Sequence, residues 1–129
     1  MGGGETREHY ASLVQEFGRA WERAQPGAMA EVFAAEGVLV PGPFDPPVKG
    51  RAAIAHYWHD VPLQQGDISF QFGEVFVAGP WFSTEFKCAF LRLRTGDRIE
   101  ICGGMFCEAA AGKISEMRMY WHRAQTGGR

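Results

Sequence analysis

The sequence has no apolar run long enough to cross a bilayer, because Gly, Pro or a charged residue interrupts each stretch within a few positions. It has no excess of positive charge either, since 13 basic and 15 acidic residues give a net charge of −2. Its start, Met-Gly-Gly-Gly-Glu, lacks the charged-then-apolar pattern of a signal peptide. We therefore expect a cytoplasmic protein with neither a membrane nor a nucleic-acid partner.

Cysteine is scarce, and no metal-binding pattern is evident. Cys88, Cys102 and Cys107 are an odd number without Cys-x-x-Cys spacing, and all three lie in strand-like sequence. This arrangement is typical of buried reduced thiols rather than of disulfides or zinc ligands. His56 and His59 are three residues apart, but this pair alone does not make a metal site. We predict no metal and no cofactor.

Apolar and aromatic residues are plentiful: 46% of the 129 residues are hydrophobic and 13% are aromatic. That content suffices for the core of one domain over residues 1–129, with disordered ends at 1–4 and 124–129. Apolar residues recur every three or four positions from Tyr10 to Trp21, which predicts a helix over 5–24. Two further helices are predicted over 28–34 and 50–61, the last closed by Pro62.

After Gly66 the apolar period changes from helical to alternating. We predict strands over 68–77, 81–94, 99–109 and 114–121, joined by short turns into an antiparallel meander. Helices first and strands afterwards is the order of an α+β fold. Both faces of the 81–94 strand are partly apolar, and no helix remains to cover the second face. We therefore predict that a second copy covers it and that the protein is a homodimer.

Four segments, 29–34, 48–54, 75–81 and 112–121, occur in an order that resembles the nuclear-transport-factor-2-like superfamily. The SnoaL-like polyketide-cyclase and ketosteroid-isomerase branch looks most similar. The resemblance implies a cone-shaped, strongly curved, mainly antiparallel sheet that encloses an apolar pocket with the three helices. It also implies a dimer through the outer face of the sheet.

The polar groups of ketosteroid isomerases are absent from the corresponding positions. Their helix tyrosine aligns with Phe17, their catalytic base with Pro41 and their oxyanion-binding Asp near Gly104, and none of these side chains can replace them. The epoxide-hydrolase variant of the fold needs an Asp where Met119 stands. A SnoaL-type cyclase needs only one inward acidic group, and this requirement stays open.

Three residues are candidates for the catalytic group. Glu108 alternates with Cys102, Gly104 and Phe106, a set expected to face inward unless a bulge at the glycines reverses the register. Asp45 lies in the proline-rich loop at the expected mouth of the pocket, where a solvent-exposed turn residue is the alternative. His56 flanks the apolar stripe of the third helix and could act as a base, although such a histidine is more often a surface residue.

Large aromatic residues and methionines are the expected lining of the pocket. We predict a cofactor-independent cyclase, isomerase or dehydratase acting on a hydrophobic, carbonyl-bearing compound. A non-catalytic ligand-binding or dimerisation module of the same fold is the alternative. The predicted ligand-binding residues are Phe17, Trp21, Trp58, Phe72, Phe86, Phe106, Met117, Met119 and Trp121.

Overall fold

A computed structural model describes residues 3–125 as three helices and a seven-stranded sheet. Of the predicted disordered ends, residues 1–2 and 126–129 lie outside that range, whereas residues 3–4 and 124–125 lie in the first helix and the last strand. In chain order the elements are α1 (Gly3–Glu22), α2 (Pro26–Glu31), β1 (Phe33–Val40), β2 (Val48–Lys49), α3 (Arg51–Leu63), β3 (Gln65–Phe72), β4 (Phe76–Ala78), β5 (Trp81–Arg92), β6 (Arg98–Ala110) and β7 (Lys113–Gln125).

The helices form as their apolar spacing predicts, and they pack on one side of the sheet. In α1 the stripe from Tyr10 through Phe17 to Trp21 is buried, and α1 lies against β3 and α2. In α3 the buried residues Ile54 and Trp58 are four positions apart on one helix face. The α+β fold class is confirmed. None of the helices within 3–125 is long and apolar enough to cross a membrane.

The sheet runs in the order β2-β1-β7-β6-β5-β3, with β4 also paired to β5. Neighbouring strands are antiparallel except for β1 and β7, which are parallel. The sheet is strongly curved and does not close into a barrel. At Gly103 a Cβ atom would collide with the backbone of Tyr120, so β6 and β7 approach there as only a glycine allows.

Three predicted boundaries are wrong, and for the second helix and the first meander strand the reason is that strand pairing prevails over the local pattern. Helix α2 ends at Glu31, and Phe33 begins a strand that pairs with Ile114 of β7. Helix α3 includes Pro62 and ends at Leu63. The first meander strand is two strands, β3 and β4, since the chain leaves the sheet at Gly73 and then returns to β5.

Candidate functional site

The candidate site is a cavity of about 550 Å³ between the inner face of the sheet and helices α1 and α3. Most of its wall is apolar, and three tryptophan indoles contribute to it. Such a volume lies within the range of small-molecule sites, roughly 300–1,000 Å³. The lining residues are Trp21, Pro41, Tyr57, Trp58, Val61, Gln64, Gln65, Phe90, Arg92, Arg94, Ile101, Met119, Trp121 and Arg123.

Strand alternation selects which side chains reach this cavity. On β7 the odd-numbered residues face inward, so that Met119 is buried and Trp121 lines the cavity. On β6 the inward set is also odd and includes Ile101 and Cys107, both buried. The pairing of β6 with β5 is continuous through Gly103 and Gly104, so no bulge reverses the register at the two glycines.

The three indole N–H groups of the wall differ in their hydrogen bonds. Trp21 Nε1 donates to Gln65 Oε1 at 2.8 Å, and Trp121 Nε1 donates to the carbonyl oxygen of Pro41 at 2.7 Å. The second bond fixes the start of the proline-rich loop to the sheet. Trp58 Nε1 is buried and has no partner among the described residues. A buried donor without a partner is costly and is a point where a ligand or water can bind.

Tyr57 is the ionisable lining residue whose environment is most perturbed. Burial raises the pKa of its phenol, and the nearby Asp45 carboxylate raises that pKa further. Asp45 itself is exposed, in a turn where its N–H donates to the Gly42 carbonyl at 3.1 Å. Asp45 is therefore near enough to act electrostatically on a cavity residue, but it is not itself one of the lining residues.

The lining residues include three arginines but no Asp, Glu or His. Within the described part of the chain, no group of three or more His, Cys, Asp or Glu side chains is arranged to hold a metal ion. The wall can therefore donate hydrogen bonds from Tyr57 and the arginines, but none of the lining residues carries a carboxylate.

Four of the nine predicted ligand-binding residues line the cavity: Trp21, Trp58, Met119 and Trp121. Three others lie behind the wall in the core, where Phe17 and Met117 are fully buried and Phe86 stacks on Phe70. Phe72 is partly buried at the edge strand and packs against the core. Phe106 is 52% exposed on the outer face, in edge contact with Tyr120.

Glu108 and His56 do not line the cavity. The register of β6 turns the Cys102, Gly104, Phe106 and Glu108 set outward, opposite to the expected direction. The Glu108 carboxylate accepts a hydrogen bond from Ser115 Oγ at 2.9 Å. The side chain of His56 is 81% exposed because it projects from α3 away from the buried stripe. Its Nε2 lies 3.9 Å from Asp60 Oδ2.

The three cysteines differ in burial, because the even-numbered side chains of β6 face outward and the odd-numbered ones face inward. Cys88 and Cys107 are buried free thiols, as predicted, whereas Cys102 is an exposed free thiol on the outer face, contrary to the prediction. Burial raises the pKa of Cys88 to about 12, with the Glu22 carboxylate as a smaller cause, and burial also raises the pKa of Cys107 strongly. The two buried thiols are therefore neutral packing groups.

Sequence reasoning missed Tyr57 and Phe90 as lining residues, together with the arginines. The signal was present in β5, where the inward alternation of Phe86, Cys88 and Phe90 continues to Arg92 at the end of the strand. For Tyr57, adjacency to the buried Trp58 on α3 was the available signal, but the strand that would face it could not be identified from the helix alone.

Comparison with known proteins identifies the family of this chain. The model of the SnoaL-like domain family matches residues 14–117. No curated protein matches the sequence.

Solved structures with a similar fold have low sequence identity. SalBIII, an epoxide hydrolase/cyclase-like enzyme of pyran ring formation in the polyether salinomycin, has a TM-score of 0.81 at 17% identity, covering 98% of this chain and all 100% of its own. A putative isomerase from Bacillus subtilis has a TM-score of 0.79 at 23% sequence identity, and the match covers 89% of this chain and 87% of the isomerase. A hypothetical protein with a ketosteroid isomerase-like fold from Catenulispora acidiphila, solved in complex with trimethylamine, has a TM-score of 0.76 at 16% sequence identity. The match covers 84% of this chain and 83% of that protein. These similarities establish the fold.

Proposed function

This chain belongs to the SnoaL-like domain family, and we propose that it binds a small, largely apolar molecule in the cavity between its sheet and helices. The observation that carries the proposal is the cavity of about 550 Å³ whose wall includes Trp21, Trp58, Phe90 and Trp121. Large flat rings around a space of this size favour a flat or flexible apolar ligand.

A fluorescence titration with N-phenyl-1-naphthylamine, a neutral apolar probe, tests this binding. We expect a saturable increase in emission in the wild type. In Val61→Trp the new indole occupies the cavity and should weaken binding at least about tenfold, since most of the buried contact area is lost. Ala53→Trp is the matched control, because Ala53 is exposed on the same helix. Equal affinities in both variants would contradict binding in this cavity.

A second candidate function is catalysis, with Asp45 as the base. The electrostatic effect of Asp45 on Tyr57 favours it, because the carboxylate of Asp45 would take a proton from a carbon acid while the protonated phenol donates to the carbonyl oxygen. This is the cofactor-free cyclase, isomerase or dehydratase chemistry of a carbonyl-bearing compound. The absence of carboxylate and imidazole groups among the lining residues favours binding alone.

Deuterium exchange at the α-carbon of 2-tetralone, followed by NMR in D2O, distinguishes the two functions. A catalytic site should accelerate exchange, and Asp45→Asn should reduce the acceleration about 10²- to 10⁴-fold. Glu108→Gln and His56→Gln are controls and should leave the rate unchanged, because both side chains lie away from the cavity. Exchange at the buffer rate in the wild type would reject catalysis on this class of ketone and leave binding as the function.

We also propose that two copies pair through the outer face of the sheet. Phe76, Trp81, Phe106 and Tyr120 are exposed there, at 39–59% of their surface. Phe106→Glu should convert a dimeric mass in sedimentation velocity to a monomeric one, because it buries a charge in the interface. Phe44→Glu is the control, since Phe44 is 99% exposed at a loop tip. A monomeric mass for the wild type at micromolar concentration would contradict the proposal.

A further inference from the structure

The wall of the cavity contains positive charge that apolar binding does not use. Arg92 is half-buried, and Arg94 and Arg123 are exposed, yet all three line the same cavity as the tryptophans. Guanidinium groups bind carboxylates and phosphates through paired, charge-assisted hydrogen bonds. Three of them around one small cavity indicate an anionic group on the ligand.

The three arginines form no ion pair with any carboxylate that the structure describes. Across residues 3–125, none of them has a described carboxylate within 4.0 Å. Other arginines do: Arg98 Nη1 lies 3.4 Å from Asp67 Oδ2, and Arg118 pairs with Glu116. The cavity arginines are therefore free to bind an anion from outside the chain.

The sheet brings these arginines to one wall. Arg92 ends β5 in the inward alternation, and Arg94 follows two residues later. Arg123 is on β7 in register with Ile101 of β6, which also lines the cavity. Asp45 does not line the cavity, and none of the three arginines forms an ion pair with it. The cationic wall is thus the sheet wall near the ends of β5 and β7.

We propose that the ligand is an amphipathic organic anion, whose apolar body occupies the cavity and whose carboxylate binds Arg92, Arg94 and Arg123. This inference rests on the proposed binding function and defines its ligand class. Arg92 should contribute most, because it is half-buried and its charge is screened least by solvent and salt.

The test compares two probes that differ in one group. 8-Anilinonaphthalene-1-sulfonate is the anionic sulfonate counterpart of the neutral N-phenyl-1-naphthylamine. We expect the anionic probe to bind at least about tenfold more tightly at low salt, and this preference should decline as salt is raised. Binding of the neutral probe with no preference for the anionic one would overturn the anion inference alone. Failure of both probes to bind would overturn the proposed function, and the inference with it.

Substitutions locate the anionic group. Arg92→Gln should reduce the preference about three- to tenfold, and the triple variant with Arg94→Gln and Arg123→Gln should remove it, while affinity for the neutral probe stays constant. Arg98→Gln removes the same charge from an arginine that is paired and does not line the cavity. If Arg98→Gln reduced the preference as much as Arg92→Gln, net charge rather than the cavity wall would explain it, and the proposal would fail.

Displacement of the bound anionic probe then identifies the chemistry of the head group. Dodecanoate should displace it at least about tenfold better than dodecanol, which has the same chain without the charge. Dodecyl phosphate is the third competitor, because guanidinium groups also bind phosphate. Superiority of the phosphate over the carboxylate would reject the carboxylate, and equal displacement by dodecanol would reject an anionic ligand altogether.

Discussion

Trp21 and Trp58 offer a matched comparison within the cavity wall. Their rings are in edge contact, with centroids 5.0 Å apart, and both side chains are almost fully buried. They differ in one respect: Trp21 Nε1 donates to Gln65, whereas Trp58 Nε1 has no partner in the described chain. Replacing each by Phe removes the same ring volume and the same donor, so the difference between the two variants isolates the hydrogen bond.

The magnitude follows from the two environments. Trp21→Phe loses a hydrogen bond of about 1 kcal/mol in addition to the cost of the lost ring volume. Trp58→Phe has a similar volume cost, but it removes a buried unsatisfied donor, which recovers about 1–3 kcal/mol. We therefore expect Trp21→Phe to be less stable than Trp58→Phe by about 2 kcal/mol or more. For 129 residues this difference corresponds to about 8 °C in Tm.

Urea unfolding followed by circular dichroism, at one fixed protein concentration, measures both free energies of unfolding. The midpoint of Trp58→Phe should be close to that of the wild type, and the midpoint of Trp21→Phe should be clearly lower. If Trp58→Phe were destabilised as much as Trp21→Phe, the Trp58 N–H would have to be hydrogen-bonded in solution. The interpretation of Trp58 as an unsatisfied donor would then be refuted.

Three further predictions concern reactivity, pH and backbone packing. Ellman's reagent should modify Cys102 alone in the folded Phe106→Glu monomer and all three thiols in urea; rapid modification of Cys88 in the folded protein would contradict its burial. Because burial raises the pKa of Tyr57 above its unfolded value near 10.0, the phenol stabilises the fold below about pH 10, and this contribution is lost as pH rises further. Tyr57→Phe should therefore show a shallower alkaline loss of stability in thermal melts from pH 8 to 11, and an unchanged slope would be the contrary result. Gly103→Ala should lower the free energy of unfolding in urea by about 3 kcal/mol or more, since the new Cβ meets backbone atoms of β7. Gly104→Ala should be near neutral, because a Cβ there has only one atom within 4 Å, at 3.8 Å. Equal costs for the two variants would contradict the close approach of the strands.

The sequence predicts the helices and the order of the strands well, because their apolar periodicity records which face is buried. It predicts the inward set of β6 wrongly, since both alternating sets contain large apolar residues and two glycines interrupt the pattern. Phe106 belongs to the even-numbered set of β6 and Met105 to the odd-numbered set, and both residue types are hydrophobic. The structure nevertheless exposes Phe106 and buries Met105. Only the pairing of β6 with β5 and β7 decides between them.

The cavity residues are harder to predict than the core, because they come from the ends of elements that are distant in sequence. Arg94 and Arg123 are polar and follow or end strands, so nothing local marks them as lining residues. They line one cavity because β5 and β7 flank β6 in the sheet, and this strand order depends on pairing between segments distant in sequence. The position of Asp45 near the pocket is predicted from the family resemblance, which puts the base of the isomerases close to the proline-rich loop, and it stays a prediction.

The environment of Phe17 limits where a polar group can stand in the protein interior. Phe17 is fully buried, and its ring is in edge contact with Trp21, Trp58 and Phe70. A tyrosine hydroxyl at this position would lie among aromatic rings, where an unsatisfied polar group costs about 1–3 kcal/mol. Restoring the tyrosine of the isomerases would therefore destabilise the core without placing a donor in the cavity. Polar groups in the cavity wall carry less of this cost where they are less buried, as at the half-buried Tyr57 and Arg92 and the exposed Arg94 and Arg123.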